Sequence, residues 1–228
     1  MTGKAHEVNE ATKRTPVANR KFKDTVFRML FSDKEALLSL YNAVNNSHYT
    51  DSSALEIVTL ENAIYMGMKN DLAFILDMNL YLYEHQSTMN PNIPLRDLFY
   101  IAAEYQKLVD KKSLYSSALQ KIPNPHFIVF YNGSTPIDDC YTSRLSDAFY
   151  HVTDNPSLEL IVTTFNVNAG HNTELMSHCQ ILKEYSIYVA KVRSFTEQMP
   201  LDDAVQKAVT ECIQEIFWQI FLGRIRRR

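Results

Sequence analysis

Residues 69–86 read KNDLAFILDMNLYLYEHQ, and this stretch decides the fold. Two apolar and aromatic runs of strand length, residues 71–76 and 80–86, flank residues 77–79, which are of types common in turns. The pattern predicts a β-hairpin with residues 78–79 as a two-residue loop. The rest of the chain is expected to pack around this hairpin.

The predicted pairing of the two strands brings polar side chains together. It places Asp71 opposite Gln86 and Ala73 opposite Glu84, so that all four side chains share one face of the sheet. A one-residue shift of the register would separate the two carboxylates. The opposite face is expected to pack against helices and carries Leu72, Phe74, Leu76, Tyr81, Tyr83 and His85.

Two carboxylates on neighbouring strands suggest a metal site. Asp71 and Glu84 would suit Mg²⁺, which prefers oxygen ligands and keeps several bound waters. Such an ion polarises a phosphodiester oxygen and lowers the pKa of a bound water, which are the requirements of phosphodiester hydrolysis. The same residues are also typical of a solvated sheet margin, and this reading stays open.

A longer set of short motifs points to one family. The motifs are KND at 69–71, EHQST at 84–88, NPNIPLR at 90–96, Tyr100, KIPNP at 121–125, FYNG at 130–133, LSDAF at 145–149, NVN at 166–168 and CI at 212–213. From about Phe22 onward, the chain resembles the Rpn-type recombination-promoting nucleases and transposase-like proteins of the PD-(D/E)XK nuclease superfamily.

The resemblance implies an α/β fold with a restriction-endonuclease-like core, in which a mixed central β-sheet is flanked by helices. It also implies Mg²⁺-dependent cleavage of DNA, with Mn²⁺ as a substitute, at a site where Asp71 and Glu84 match the two acidic positions of the family. Gln86 stands where the wider superfamily has Lys. A neutral amide can orient a water but supplies no positive charge to the transition state.

Two alternatives to an active nuclease remain. The first is a catalytically inactive nuclease-fold domain that binds DNA or protein, because a fold does not guarantee its chemistry. The second is an unrelated helical scaffold in which Glu84 and Gln86 are ordinary surface residues. A conformation other than sheet across residues 71–86 would favour this second alternative.

Two further residues are candidates for accessory roles. Asp24, with Phe27 after it, resembles the opening Asp-x-x-Phe of the family, and its carboxylate could approach the hairpin. The alternative is that Asp24 is an exposed acid at the start of a helix, stabilised there by the helix dipole. Arg96 follows the strand that carries Glu84 and could face the scissile phosphate as a bidentate donor. A salt bridge on a helix surface is the commoner outcome for such an arginine.

The remaining elements follow from apolar periodicity, proline and capping residues. Residues 22–46 predict two helices with a break at Ser32 and Asp33, either of which could cap the second helix. Pro94 predicts the first turn of a helix that runs to about Leu119 and connects two parallel strands. Further strands are predicted at 55–60, 126–131 and 158–167, and further helices at 172–193 and 201–222.

Length and charge set the overall organisation. The 228 residues predict one nuclease-like domain over residues 20–222, after a mobile lead-in of residues 1–19 and before a basic tail of residues 223–228 that resembles a truncated end. The formal net charge of −3 predicts that any contact with DNA uses local basic patches. A homodimer is a further expectation.

Cysteine spacing and hydropathy bear on the compartment. Cys140, Cys179 and Cys212 form no CxxC pair, so neither a zinc site nor a disulfide framework is predicted, and free thiols fit a cytoplasmic protein. The sequence has no apolar leader and no apolar run long enough to span a bilayer, so no membrane contact is expected.

Overall fold

The structure, a computed structural model, describes residues 22–58 and 72–214. Within these ranges, one mixed sheet of six strands is flanked by helices, which confirms the predicted α/β class. The strands are β1 Glu56–Ile57, β2 Leu72–Leu76, β3 Asn79–Gln86, β4 Asn124–Tyr131, β5 Cys140–Arg144 and β6 Ile161–Asn166. The α-helices are α1 Phe22–Phe31, α2 Lys34–Asn45, α3 Ile93–Leu108, α4 Thr173–His178, α5 Gln180–Thr196 and α6 Leu201–Gln214.

The strand order is β1-β2-β3-β4-β6-β5. The first three strands form an antiparallel meander, and β3, β4 and β6 run parallel. Helix α3 makes the crossover from β3 to β4, while β5 pairs antiparallel with β6 at the edge. Because the three parallel strands end together, their carboxyl ends form one edge of the sheet, where open α/β sheets commonly bind ligands.

The hairpin is present, but its predicted register is wrong. Its turn consists of Asp77 and Met78, both with positive φ (49° and 62°), and Leu76 pairs with Asn79. Ala73 therefore lies opposite Leu82 instead of Glu84. Aspartate tolerates the left-handed conformation that both central positions of such a turn require, which leaves Asn79 free to begin β3.

The assignment of side chains to the two faces of the hairpin is correct, because the register differs by two residues and the side chains alternate with a period of two. The face toward α1, α2, α5 and α6 buries Leu72, Phe74, Leu76, Tyr81 and Tyr83. The face toward α3 buries Leu80 and Leu82. The extended conformation of Leu72–Leu76 and Asn79–Gln86 excludes the helical-scaffold alternative for these residues.

The helix ends agree with the sequence where a capping side chain defines them. Asp33 caps α2 by accepting a hydrogen bond from the Ala36 N–H at 3.1 Å, as predicted. Helix α3 has Pro94 in its first turn, but it ends at Leu108 and not near Leu119. The apolar side chains of the segment after it, Leu114 and Leu119, are exposed, so no buried stripe extends the helix.

Three other boundaries differ from the prediction. The helix predicted over 172–193 is two helices, α4 and α5, because the buried Cys179 between them adopts an extended conformation. The edge strand β5 was not predicted, and β1 covers only two residues of the predicted 55–60 strand within the described range. No helix within the described ranges is both long enough and apolar enough to cross a membrane.

The ends of the predicted domain lie outside the described residues. This is the case for the lead-in at 1–19, the basic tail at 223–228 and the last part of the helix predicted over 201–222, of which α6 is the described portion. Asp71, the first candidate metal ligand, also lies outside them.

Candidate functional site

Strand β3 presents consecutive polar residues to opposite faces of the sheet. Glu84 and Gln86 face α3, since the guanidinium of Arg96 in α3 approaches the Glu84 carboxylate. His85 faces α1 and α5 and contacts Asp24 and Tyr185. The two predicted accessory residues, Asp24 and Arg96, therefore lie on opposite faces of the sheet. Arg96 lies beside Glu84 on one face, and Asp24 contacts His85 on the other.

The Glu84 carboxylate is buried but only partly satisfied. Its exposed fraction is 4%, and its Oε2 accepts a hydrogen bond from Gln86 Nε2 at 3.1 Å. Its Oε1 has no hydrogen-bond partner within the described residues, and Arg96 Nη2 lies 3.6 Å from it. Burial raises the pKa of Glu84, while the charge of Arg96 and the hydrogen bond from Gln86 oppose that rise.

Arg96 pairs with a buried carboxylate of the sheet and not, as in the predicted alternative, with a partner on the helix surface. In addition to its contact with Glu84, it donates a hydrogen bond to the Tyr100 hydroxyl at 3.3 Å, one turn along α3. The guanidinium carbon lies 5.9 Å from the centroid of the Tyr100 ring. The Arg96 side chain is 27% exposed, so part of it still faces solvent next to the buried carboxylate.

Asp97 is a member of this site that the sequence prediction missed. It is 2% exposed, and its Oδ1 lacks a hydrogen-bond partner among the described residues. Burial raises the pKa of Asp97 well above its usual value, the negative charge of Glu84 adds to the rise, and Arg96 opposes it. The signal that could have identified Asp97 is its position in the apolar stripe of α3, four residues after Ile93 and four before Ile101.

A third buried acid, Glu104 on α3, belongs to a separate contact. It lies seven residues after Asp97, or about 10 Å along a helix that rises 1.5 Å per residue. Lys107 Nζ contacts its Oε1 at 2.6 Å, so Glu104 has a cation of its own.

The donor set of Glu84 and Asp97 fits a hard divalent cation. Both offer carboxylate oxygens, and each has one buried oxygen without a hydrogen bond, which a cation would satisfy. The described part of the chain contains no group of three or more His, Cys, Asp or Glu side chains arranged to hold a metal. A complete site would therefore need Asp71 or water ligands as well.

The opposite face of β3 contains a fully connected polar chain. His85 Nδ1 lies 2.8 Å from Asp24 Oδ1, and the Tyr185 hydroxyl lies 2.7 Å from His85 Nε2. The Tyr185 hydroxyl is also within hydrogen-bond distance of the Lys23 carbonyl, at 3.4 Å, so the chain of polar contacts reaches the backbone of α1. The centroid of the Phe27 ring lies 5.1 Å from the centroid of the His85 imidazole, and the His85 side chain has no exposed surface. This arrangement holds α1 and α5 to the sheet.

Comparisons with known proteins do not identify a relative. No family model, no curated protein and no solved structure matches this chain.

Proposed function

We propose that this chain is a metal-dependent DNA endonuclease with a restriction-endonuclease-like core, of the recombination-promoting, transposase-like kind that the sequence motifs resemble. The observation that carries the proposal is the buried Glu84 carboxylate on a central strand, which has one unbonded oxygen and a second under-satisfied acid, Asp97, close to it. Buried acids with strongly perturbed pKa values are concentrated at functional sites.

Glu84 and Asp71 would hold Mg²⁺ or Mn²⁺, and Asp97 would add a further carboxylate oxygen. When bound, the ion polarises the phosphodiester and lowers the pKa of a water bound to it. The other residues act through position and charge. Gln86 fixes the orientation of Glu84 through its 3.1 Å hydrogen bond, and its amide can hold the attacking water in line but cannot accept the proton of that water as a base.

Arg96 has two roles under this proposal. Before substrate binds, it partly neutralises the negative charge of Glu84 and Asp97. Its solvent-facing part can then contact an oxygen of the DNA backbone, since a guanidinium can bond to a carboxylate and a phosphate with different N–H groups. Tyr100 keeps the guanidinium at the mouth of the site.

The second candidate is a catalytically inactive nuclease-fold domain that binds DNA or protein. The observation that favours it is the contact between Arg96 and Glu84, because an internal cation beside the carboxylate can take the place of a metal. The neutral Gln86 at the position of the superfamily Lys points the same way. In this case Glu84, Asp97 and Arg96 would form a buried charge cluster with a structural role.

Plasmid nicking by the purified protein tests the two candidates. The reaction is run with Mg²⁺, Mn²⁺, Ca²⁺ or a chelator, on the wild type and on Glu84→Gln and Asp71→Asn. Glu174→Gln, a change at an exposed acid in the first turn of α4, is the matched control. Circular dichroism establishes that each variant is folded.

Metal-dependent cutting that is lost in Glu84→Gln and Asp71→Asn but kept in Glu174→Gln would support the nuclease. A folded wild type that cuts no DNA with any metal would favour the inactive domain. Equal cutting by all four proteins would indicate a contaminating nuclease. DNA as the partner and the homodimer are separate predictions, which gel-shift and sedimentation measurements address.

A further inference from the structure

Two cations meet at the carboxyl edge of the sheet, next to the end of β3. Lys23 in the first turn of α1 and Arg193 near the end of α5 both donate to the backbone carbonyl of Asn132, which directly follows β4. The Lys23 Nζ is 3.5 Å from this oxygen, and Arg193 Nη2 is in closer contact with it. The Asn132 N–H donates in turn to the Gln86 carbonyl at 2.8 Å, so this cluster adjoins the proposed catalytic strand.

The guanidinium of Arg193 is held in a fixed orientation. Its Nη2 also donates to Asn132 Oδ1 at 2.9 Å, and its Nη1 donates to Asn168 Oδ1 at 2.6 Å. Asn168 is itself fixed, because its Nδ2 donates to the Gly133 carbonyl and to Asn166 Oδ1. Residues in the turns after β4 and β6 thus both accept hydrogen bonds from Arg193, although they are distant from it in the sequence.

The cluster contains more donors than acceptors. Neither Lys23 nor Arg193 has a carboxylate within 4.0 Å among residues 22–58 and 72–214, although both are half-buried. A single carbonyl oxygen receives both cations, and the Nδ2 of the fully buried Asn132 has no acceptor in the described part of the chain. Asp24, the neighbouring acid, has its Oδ1 bonded to His85.

The two cations are close enough for the charge of Arg193 to affect the pKa of Lys23. Burial and the charge of Arg193 lower the pKa of Lys23 to about 8, although Asp24 opposes the change. Burial also lowers the pKa of Arg193. A bound anion would remove this repulsion and supply the missing acceptors, and phosphate oxygens match both the fork of an arginine and the point charge of a lysine.

We propose that Lys23 and Arg193 form an anion site that binds a phosphate of the DNA backbone, beside the phosphodiester that is cut at Glu84. The assignment to DNA rests on the proposed function, whereas the affinity for phosphate does not. The location supports a neighbouring phosphate of the same strand, because Gln86 ends β3 and pairs with Tyr131, the residue before Asn132. Adjacent strands are only about 4.8 Å apart.

Thermal unfolding in inorganic phosphate tests the anion site without DNA, metal or catalysis. At constant ionic strength, phosphate in place of chloride should raise the Tm of the wild type, since a ligand that binds only the folded state stabilises it. Lys23→Met and Arg193→Gln should lose this rise. Lys112→Met and Arg144→Gln are the matched controls and should keep it, because Lys112 lies in the segment between α3 and β4 and Arg144 pairs with Ile161 at the start of β6, whereas Lys23 and Arg193 meet where β4 has ended.

DNA binding in chelator identifies the source of the phosphate. For a short duplex measured by fluorescence anisotropy, each lost phosphate contact should reduce the slope of log K against log salt by about 0.9. Lys23→Met should therefore show a smaller slope than wild type, and Lys112→Met an unchanged one. If phosphate raises the Tm but the slopes are equal, the site takes a free phosphate or a small phosphorylated molecule, and the assignment to DNA fails.

A third measurement covers the case in which Arg193→Gln is unfolded, since Arg193 bridges two turns. An NMR titration of the Lys23 amine in wild-type protein should show a pKa near 8 without phosphate and a higher value with it. An unchanged pKa together with an unchanged Tm would overturn the proposal. These results do not depend on cutting, so a protein that binds phosphate but never nicks DNA would keep the anion site and lose the nuclease.

Discussion

At the carboxyl end of β3, residues 84–86, the two faces differ in how completely their polar groups are satisfied. On one face, His85 makes hydrogen bonds with both ring nitrogens, to Asp24 and Tyr185. On the other, Glu84 and Asp97 each bury an oxygen without a hydrogen bond. The cost of burying a polar group falls sharply when it is paired, so we assign the His85 side a structural role, and under the proposed function the Glu84 side holds the ligand. The predictions below test this division.

The largest effect is expected for catalysis on the incomplete face. Glu84→Gln removes a metal ligand while preserving shape, and the rate of nicking should fall by about 10³-fold, because stabilisation by the metal is worth several kcal/mol. Its unfolding free energy should stay within about 1 kcal/mol of wild type, since a buried charge is replaced by a neutral amide. Nicking rates and urea denaturation of the same preparations provide both numbers.

On the face of β3 that carries His85, the expected effect of a substitution is a loss of stability. His85→Ala leaves a cavity beside Phe27 and removes the hydrogen bonds that His85 makes with Asp24 and Tyr185, so the unfolding free energy should fall by about 3 kcal/mol. Gln86→Ala, one residue further along β3 and partly exposed, is the comparison variant; it removes the hydrogen bond to the Glu84 carboxylate and should cost about 1–2 kcal/mol, less than His85→Ala. Similar losses in the two variants would contradict the proposed division of roles.

The alternation of side chains on β3 was predictable, whereas the contacts that distinguish its faces were not. A period of two assigns His85 and Glu84 to opposite faces in either register, which explains why the faces were correct although the pairing was wrong by two residues. The turn could begin at Asp77 or Met78 without changing that pattern. Only the tertiary structure shows which side chains meet each face.

The features that the sequence did not indicate have a common physical origin. Strand β5 is an exposed edge strand, CYTSR, and lacks the alternation that identifies a half-buried strand. Arg193 reaches Asn132 across 61 residues, a contact that no local pattern encodes. Asp97 was hidden because an acid within an apolar helical stripe is easily read as a surface residue, although its spacing from Ile93 places it on the buried face.

A smaller effect should separate the two acids of the incomplete face. In chelator, Asp97→Asn should raise the unfolding free energy by about 1 kcal/mol, because the amide removes a carboxyl that is costly to bury near Glu84. With metal present, the same variant should nick DNA more slowly than wild type. Glu104→Gln is the control; it should destabilise the protein, because Glu104 already has the cation of Lys107. A destabilised Asp97→Asn would mean that Asp97 has a structural partner instead.

The smallest expected effect is a pH dependence of stability at the carboxyl edge of the sheet, where Lys23 lies near Arg193. The pKa of Lys23 is about 8 in the folded protein and 10.5 in its usual environment. Between these values the unfolded chain binds more protons, so wild-type stability should rise with pH through that window.

Lys23→Met should lack this rise, while Lys112→Met should keep it; denaturant midpoints across the window provide the comparison. The half-buried position of Lys23 reduces the size of the effect. Burial and the charge of Arg193 lower the pKa of Lys23 and Asp24 raises it, so Asp24→Asn should lower this pKa further and strengthen the pH dependence.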